Sequence, residues 1–170
     1  MQPLDYKDYT LKARITELDR FHERLKELSA TFVGTDHQRD HYFATNRGKL
    51  KWRQGTIENL ITHYERIAEK GAERTIVYRY DLHPTPEDVE QLQGSAEFIQ
   101  VIEKIRHIYL IGHIKIHLDQ LPSGDQFIEI EAIDRANQFS HAELMRQCLE
   151  LQQKLDIPSE NRIPTGYFSI

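Results

Sequence analysis

Cysteine occurs once, at position 148, so no disulfide can close within the chain and no paired-cysteine metal clip exists. No apolar run approaches the ~18 residues needed to span a bilayer, and the start of the chain has no secretory-signal core. Low-complexity tracts are missing, and so is any repeat of ~20–50 residues. Positive charge is in short supply too: 22 Lys and Arg against 27 Asp and Glu, a formal net charge of −5. That balance excludes nucleic-acid binding through bulk positive charge, although a local basic patch is still allowed. What is there is a globular composition, 39% hydrophobic and 29% charged over 170 residues. Such a chain can bury a core and suits one domain. The expectation is a single domain over 1–170, cytoplasmic, clear of membrane and nucleic acid, and a monomer or homodimer.

Hydrophobic period assigns the elements. Residues 8–15 alternate, with Asp8, Thr10, Lys12 and Arg14 on one face and Tyr9, Leu11, Ala13 and Ile15 on the other. Leu18, Phe21, Leu25 and Leu28 then recur at helical spacing behind Thr16 as the expected N-cap. Extended segments follow near 36–45, 48–54, 57–67 and 74–80, and again near 98–110, 112–121 and 126–133. Between the two sets, Pro84 to Gly94 reads as a short helix, with Thr85 capping ahead of Pro86. Ser140 caps another over 140–155, and a short element follows Pro158. About eight strands in near-continuous hairpin order imply antiparallel pairing and a sheet that curls or closes. The fold class expected is α+β, with an eight-stranded closed or C-shaped β-barrel and flanking helices.

The polar strand faces carry the chemistry. Lys-x-Arg recurs three times, as Lys12/Arg14, Lys51/Arg53 and Lys104/Arg106, while Arg66 and Lys115 extend the set. The carboxylates gather elsewhere, at Asp119, Glu129 and Glu131. Any one such face is ordinarily the wet side of a sheet. Turned inward together, eight cations around a few acids would be untenable in a dry, empty cavity. A polyanion with a divalent metal would neutralise both halves: basic side chains take phosphate oxygens, and carboxylates hold Mg²⁺ or Mn²⁺. With Asp8 among the acids the proposed lumen sums to +4, leaving −9 for the remainder of the chain.

The runs LKARI (11–15), QRDHYF (38–43), GKLKWR (48–53), YER (64–66), EKIRHIY (103–109), IHLDQL (116–121) and FIEIEAID (127–134) stand in the order of a known family. Through them the chain resembles the CYTH, or triphosphate tunnel metalloenzyme, superfamily, which includes class IV adenylyl cyclases and thiamine triphosphatases. The resemblance implies an eight-stranded barrel whose lumen binds a triphosphate-containing small molecule. It makes Lys12, Arg14, Lys51, Arg53, Arg66, Lys104, Arg106 and Lys115 candidate phosphate contacts. It makes Glu129 and Glu131 metal ligands, with Asp119 and Asp8 as further acidic partners. The family's first strand reads ExExK; here Asp8 keeps the first acid, and Thr10 replaces the second. A neutral hydroxyl is a poor oxygen ligand for a hard cation, so one metal position is expected to be weakened.

The activity this implies is metal-dependent hydrolysis of inorganic, thiamine or nucleoside triphosphate. The alternatives are a class IV cyclase making cyclic AMP and pyrophosphate, or a catalytically weak polyphosphate-binding module. Zinc is not expected: His113 and His117 share a strand face, but side chains four apart on a strand lie about 13 Å from each other. Cys148 sits among leucines and reads as packing. In Thr165-Gly166-Tyr167 the resemblance places a tail tyrosine near the tunnel.

Overall fold

In the structure, a computed structural model, residues 1–69 and 71–163 are described. The first strand, β1 (Lys7–Ile15), alternates as read, yet all but its two polar end residues, Lys7 and Arg14, are buried. A strand buried on two chemically opposite faces needs an apolar layer on one side and a polar enclosure on the other. Both exist. Around the barrel the order is β1, β5 (Glu73–Leu82), β4 (Asn59–Ala68), β3 (Lys49–Gly55), β2 (Thr31–Phe43), β6 (Phe98–Ile111), β7 (Ile114–Gln120) and β8 (Gln126–Asp134). Every neighbouring pair is antiparallel, and the barrel is closed.

The apolar layer lies outside this barrel. Tyr9, Leu11, Ile116, Leu118, Ile128 and Ile130 form one face of the β1–β8–β7 wall. They pack beneath α1 (Leu18–Glu27), which supplies Phe21 and Leu25, and α3 (His141–Lys154), which supplies Leu144, Cys148 and Leu151. Cys148 is fully buried there, as its leucine neighbours suggest. Each large apolar side chain buried this way contributes about 1.5–3 kcal/mol. A smaller cluster of Phe43, Ile61 and Leu92 sits under α2 (Pro86–Ser95). The hydrophobic core is therefore external to the sheet, and the polar faces point to the axis.

Three details differ from the sequence reading. Hairpin order holds within β2–β5 and within β6–β8, but β1 pairs with β5 and β8, and β2 pairs with β6. The helices after β1 and β5 are too long for tight hairpins and carry the chain to non-sequential partners. Strand β2 begins at Thr31, not near 36; its first residues, including Phe32 and Val33, are exposed and interrupted by a bulge before Gly34, so no burial period marks them. Helix α1 is capped at Glu17, in left-handed backbone, with the Gln126 side chain accepting from the Leu18 amide at 3.1 Å, whereas Thr16 makes no cap. Thr85 and Ser140 do cap α2 and α3, each in a reciprocal capping box. After α3 a 3₁₀ turn at Ser159–Asn161 brings Arg162 beside Ala13, and the Ile163 amide donates to the Lys12 carbonyl at 2.8 Å. Thr165-Gly166-Tyr167 lies outside the described residues.

Among the described residues no helix is long and apolar enough to cross a membrane.

Candidate functional site

The axis holds a cavity that opens to solvent. Its lining brings together Lys12, Lys51, Arg53, Arg66, Lys104, Arg106 and Lys115, with Arg135 near the mouth. Against these eight cations stand five carboxylates: Asp8, Asp40, Glu58, Glu129 and Glu131. The excess is +3, smaller than the +4 read from the sequence, because Asp40 and Glu58 enter while Asp119 leaves, and Arg135 takes the place of Arg14 in the count. Arg14 does not reach the cavity. It is more than half exposed, pairs with Asp125 at 2.8 Å and lies over the Phe127 ring.

One wall is built by β2, β3 and β6. Asp40, wholly buried, opposes Arg53 in register. Arg53 reaches both its oxygens, Nε at 2.8 Å and Nη2 at 2.9 Å. Lys104 Nζ lies 2.6 Å and Lys51 Nζ 3.4 Å from Asp40 Oδ2. One carboxylate thus serves three cations. Burial, reinforced by the neighbouring guanidinium groups, pushes both lysines down to about 7 in spite of Asp40. Beside them Arg106 is clamped by Asp119, Nε and Nη2 each at 2.8 Å from one carboxylate oxygen. Both Asp119 oxygens are thereby engaged, and the residue is absent from the cavity lining. The structure places it behind Arg106, apart from Asp8 and Glu131.

The opposite wall is built by β1 and β8. Register sets Lys12 across from Glu129 and Thr10 across from Glu131. Glu129 pairs with Lys12 at 3.2 Å and with Arg66, arriving from β4, at 3.4 Å. Burial alone would raise its pKa; Lys12 and Arg66 outweigh burial and hold it well below the ordinary range. Asp8 goes the other way. Burial, then the charge of Glu131 and a hydrogen bond with it, raises Asp8 well above a usual carboxylate. Asp8 therefore holds its proton beside Glu131. The Thr10 hydroxyl donates to Asp8 Oδ1 at 3.3 Å.

Two further residues face the cavity. Glu58, from the β3–β4 turn, pairs with Lys115 and lies 3.4 Å from Arg53 and 3.8 Å from Arg106. Its turn is locked by Asp36, which accepts from the Ile57 and Glu58 amides at 2.8 and 2.9 Å. Gly55 is required there, since a Cβ would sit 2.5 Å from the Glu58 carbonyl oxygen and 2.7 Å from Asp36 Oδ1. His117 faces the cavity from β7, 2% exposed. Among the described residues, neither of its ring nitrogens has a hydrogen-bond partner. Burial, then Arg106 and Lys115, hold the imidazole well below its ordinary pKa, so it is neutral. His113, on the same strand face in the sequence reading, instead lies outside at the β6–β7 turn, stacked on Phe139.

Among the described residues no three His, Cys, Asp or Glu side chains stand close enough to hold a metal ion by themselves. The donor chemistry of β1 and β8 nevertheless fits a hard divalent cation. A buried carboxyl held protonated beside a second acid, as Asp8 is beside Glu131, is a place where such a cation can replace the proton. Mg²⁺ is commonly held by one or two carboxylates and completed by substrate phosphates.

Sequence reading missed Asp40 and Glu58. Strand β2 is polar on both faces, with His37, Arg39 and His41 outward and Asp36, Gln38 and Asp40 inward, so alternation could not orient it. Glu58 lies in a turn, where strand period carries no information.

Residues 7–167 match the family model for the CYTH domain. Against curated proteins the chain has no significant match. Among solved structures it is similar to the PH1012 protein of Pyrococcus horikoshii OT3, with 20% identity, a TM-score of 0.76, and 94% of this chain and 96% of that one covered. It is also similar to a candidate adenylate cyclase of Vibrio parahaemolyticus, at 19% identity and a TM-score of 0.74, covering 95% of each chain. A third likeness, at 14% identity and a TM-score of 0.58, covers 95% of this chain and 92% of the Hippeastrum candidate adenylyl cyclase HpAC1, a protein with a dominant triphosphatase activity. At such identities these likenesses speak for the fold alone.

Proposed function

On the premise that the chain belongs to the CYTH domain family, we propose that it hydrolyses a triphosphate bound in the barrel lumen, with Mg²⁺ or Mn²⁺ as cofactor. The observation that carries this reading is the convergence of Lys12, Lys51, Arg53, Arg66, Lys104, Arg106 and Lys115 on one cavity. Such a set is costly to bury and matches the oxygens of a phosphate chain. Lys51, Arg53, Lys104 and Arg106 grip non-bridging oxygens from one wall, and Lys12 and Arg66 do so from the other. Asp119 keeps the Arg106 fork oriented. Asp8 and Glu131, with Glu129 beside them, are the residues that would hold the metal. A bound divalent cation supplies charge neutralisation and a lowered pKa for water. The protein's own contribution is positioning and electrostatic stabilisation, which is most of what phosphoryl transfer requires.

A second reading has its own support. Tyr6 and Tyr80 line the cavity with Arg135, whose guanidinium lies 4.6 and 5.1 Å from their ring centres. A nucleobase could lie on such a surface, as cyclisation of ATP would need. The test is product analysis with tripolyphosphate, thiamine triphosphate and ATP, each with Mg²⁺ and with Mn²⁺. Orthophosphate release is the result expected. Cyclic AMP with pyrophosphate selects the cyclase, and binding without turnover of any of the three removes the enzyme reading.

A further inference from the structure

Buried polar groups in folded proteins are almost always hydrogen-bonded, because a buried unpaired donor or acceptor forfeits its water without recompense. His117 breaks that rule twice over, since both of its ring nitrogens are buried and find no partner among the described residues. The charged groups around it are committed. Arg106 is clamped by Asp119, Lys115 is paired with Glu58, and Glu129 is paired with Lys12 and Arg66. Along β7 the imidazole stands between Lys115 and Asp119 on the lumen face, and across the sheet it opposes Glu129 and Ile108. No shift within this charged lining frees a partner without breaking an ion pair. The unmet partner therefore belongs to whatever fills the cavity.

An imidazole ring carries two nitrogens, each able to take part in a directed hydrogen bond. We propose that His117 is a substrate-binding residue: one of its buried ring nitrogens donates a hydrogen bond to a phosphoryl oxygen of the bound triphosphate. This rests on the lumen being the triphosphate site. It adds to the cationic grip a directed contact from β7, between Lys115 and Asp119 in the strand.

The role predicts that stability and binding move in opposite directions. Replacing His117 by an apolar side chain removes two orphaned polar atoms, which is neutral or stabilising for the fold. The same change removes a hydrogen bond to an anion. The experiment measures thermal midpoints, and calorimetric affinity for the imido analogue of tripolyphosphate with Mg²⁺, in wild type, His117→Phe and His117→Leu. The expected result is an unchanged or higher Tm in at least one variant, with affinity weaker by on the order of tenfold to a hundredfold. Two variants of different volume separate overpacking from the loss of the imidazole. Wild-type affinity in both variants overturns the proposal, and so does a fall in Tm in both, which would make His117 a structural residue. Failure of the wild-type protein to bind the analogue overturns the lumen reading itself.

Discussion

The two walls of the lumen solve the problem of buried charge in opposite ways. On β2, β3 and β6 a single fully buried carboxylate, Asp40, is surrounded by Lys51, Arg53 and Lys104, and positive charge is in excess. On β1 and β8 the acids Asp8, Glu129 and Glu131 outnumber Lys12, and Asp8 stays protonated well above its ordinary range through burial and Glu131. One wall lacks anions and the other lacks cations. A phosphate chain with a divalent metal supplies both, each to the wall that lacks it. The difference between the walls, more than the total charge, is what suits the cavity to a metal-bound polyanion.

The comparison breaks most severely at Asp40. Asp40→Asn would leave three buried cations sharing a neutral amide, at a cost of about 3–5 kcal/mol in unfolding free energy. Tripolyphosphate should restore part of that loss, because its oxygens can replace the missing charge. Denaturant melts with and without tripolyphosphate check both statements, and a variant as stable as wild type would show that Asp40 does not anchor its wall. The acidic wall is sharpened by Thr10→Glu, which sets a third carboxylate beside Asp8 and Glu131. Metal-dependent turnover should rise several-fold toward a fuller oxygen ligand set, while the metal-free protein loses stability through like-charge repulsion. Rates measured across a Mn²⁺ titration decide this, and an unchanged rate would mean that the missing acid is not limiting.

The smallest effect is with pH, and its two signs differ. In the folded protein Lys51 and Lys104 are lowered to about 7 from 10.5, burial being the largest cause. Between those values the unfolded chain binds more protons, so their contribution to stability rises from pH 7 towards 10.5 and is absent below 7. A bound polyanion favours the ammonium forms, so affinity for tripolyphosphate should fall as pH rises through 7 and binding should take up protons. Calorimetry in buffers of different ionisation enthalpy measures that uptake; zero uptake at pH 8 would place both lysines at ordinary values.

Much of this arrangement was legible in the sequence, and what was missed has a physical cause. Strands with one apolar face, such as 8–15 and 127–133, reveal their inward side chains by alternation, so Lys12, Glu129 and Glu131 could be assigned to the lumen from spacing. Alternation says which face a residue is on but not how far along the axis it lies. Arg14 was therefore grouped with Lys12 although only Lys12 lines the cavity. Nor does spacing reveal pairing, which is why Asp119 looked like a free acid when it is the clamp of Arg106. Asp40 lies within one of the runs that carry the family resemblance, yet its strand is polar on both sides and offers no period to orient it.

The strand that carries Asp8, Thr10 and Lys12 has a further consequence, for the order of assembly. β1 meets β5 at only two register positions, Tyr9 with Arg74 and Thr10 with Glu73, and it meets β8 along its whole length, from Lys7 with Asp134 to Ile15 with Gln126. Its partners thus lie far along the chain. Loop closure over such separations is slow, and topologies dominated by distant pairings fold in milliseconds to seconds. The meanders β2–β5 and β6–β8 can each form locally, and β1 is the stave that completes the cylinder. Until it docks, the acidic wall is only half built. Closure of the barrel and completion of its acidic wall are then one event.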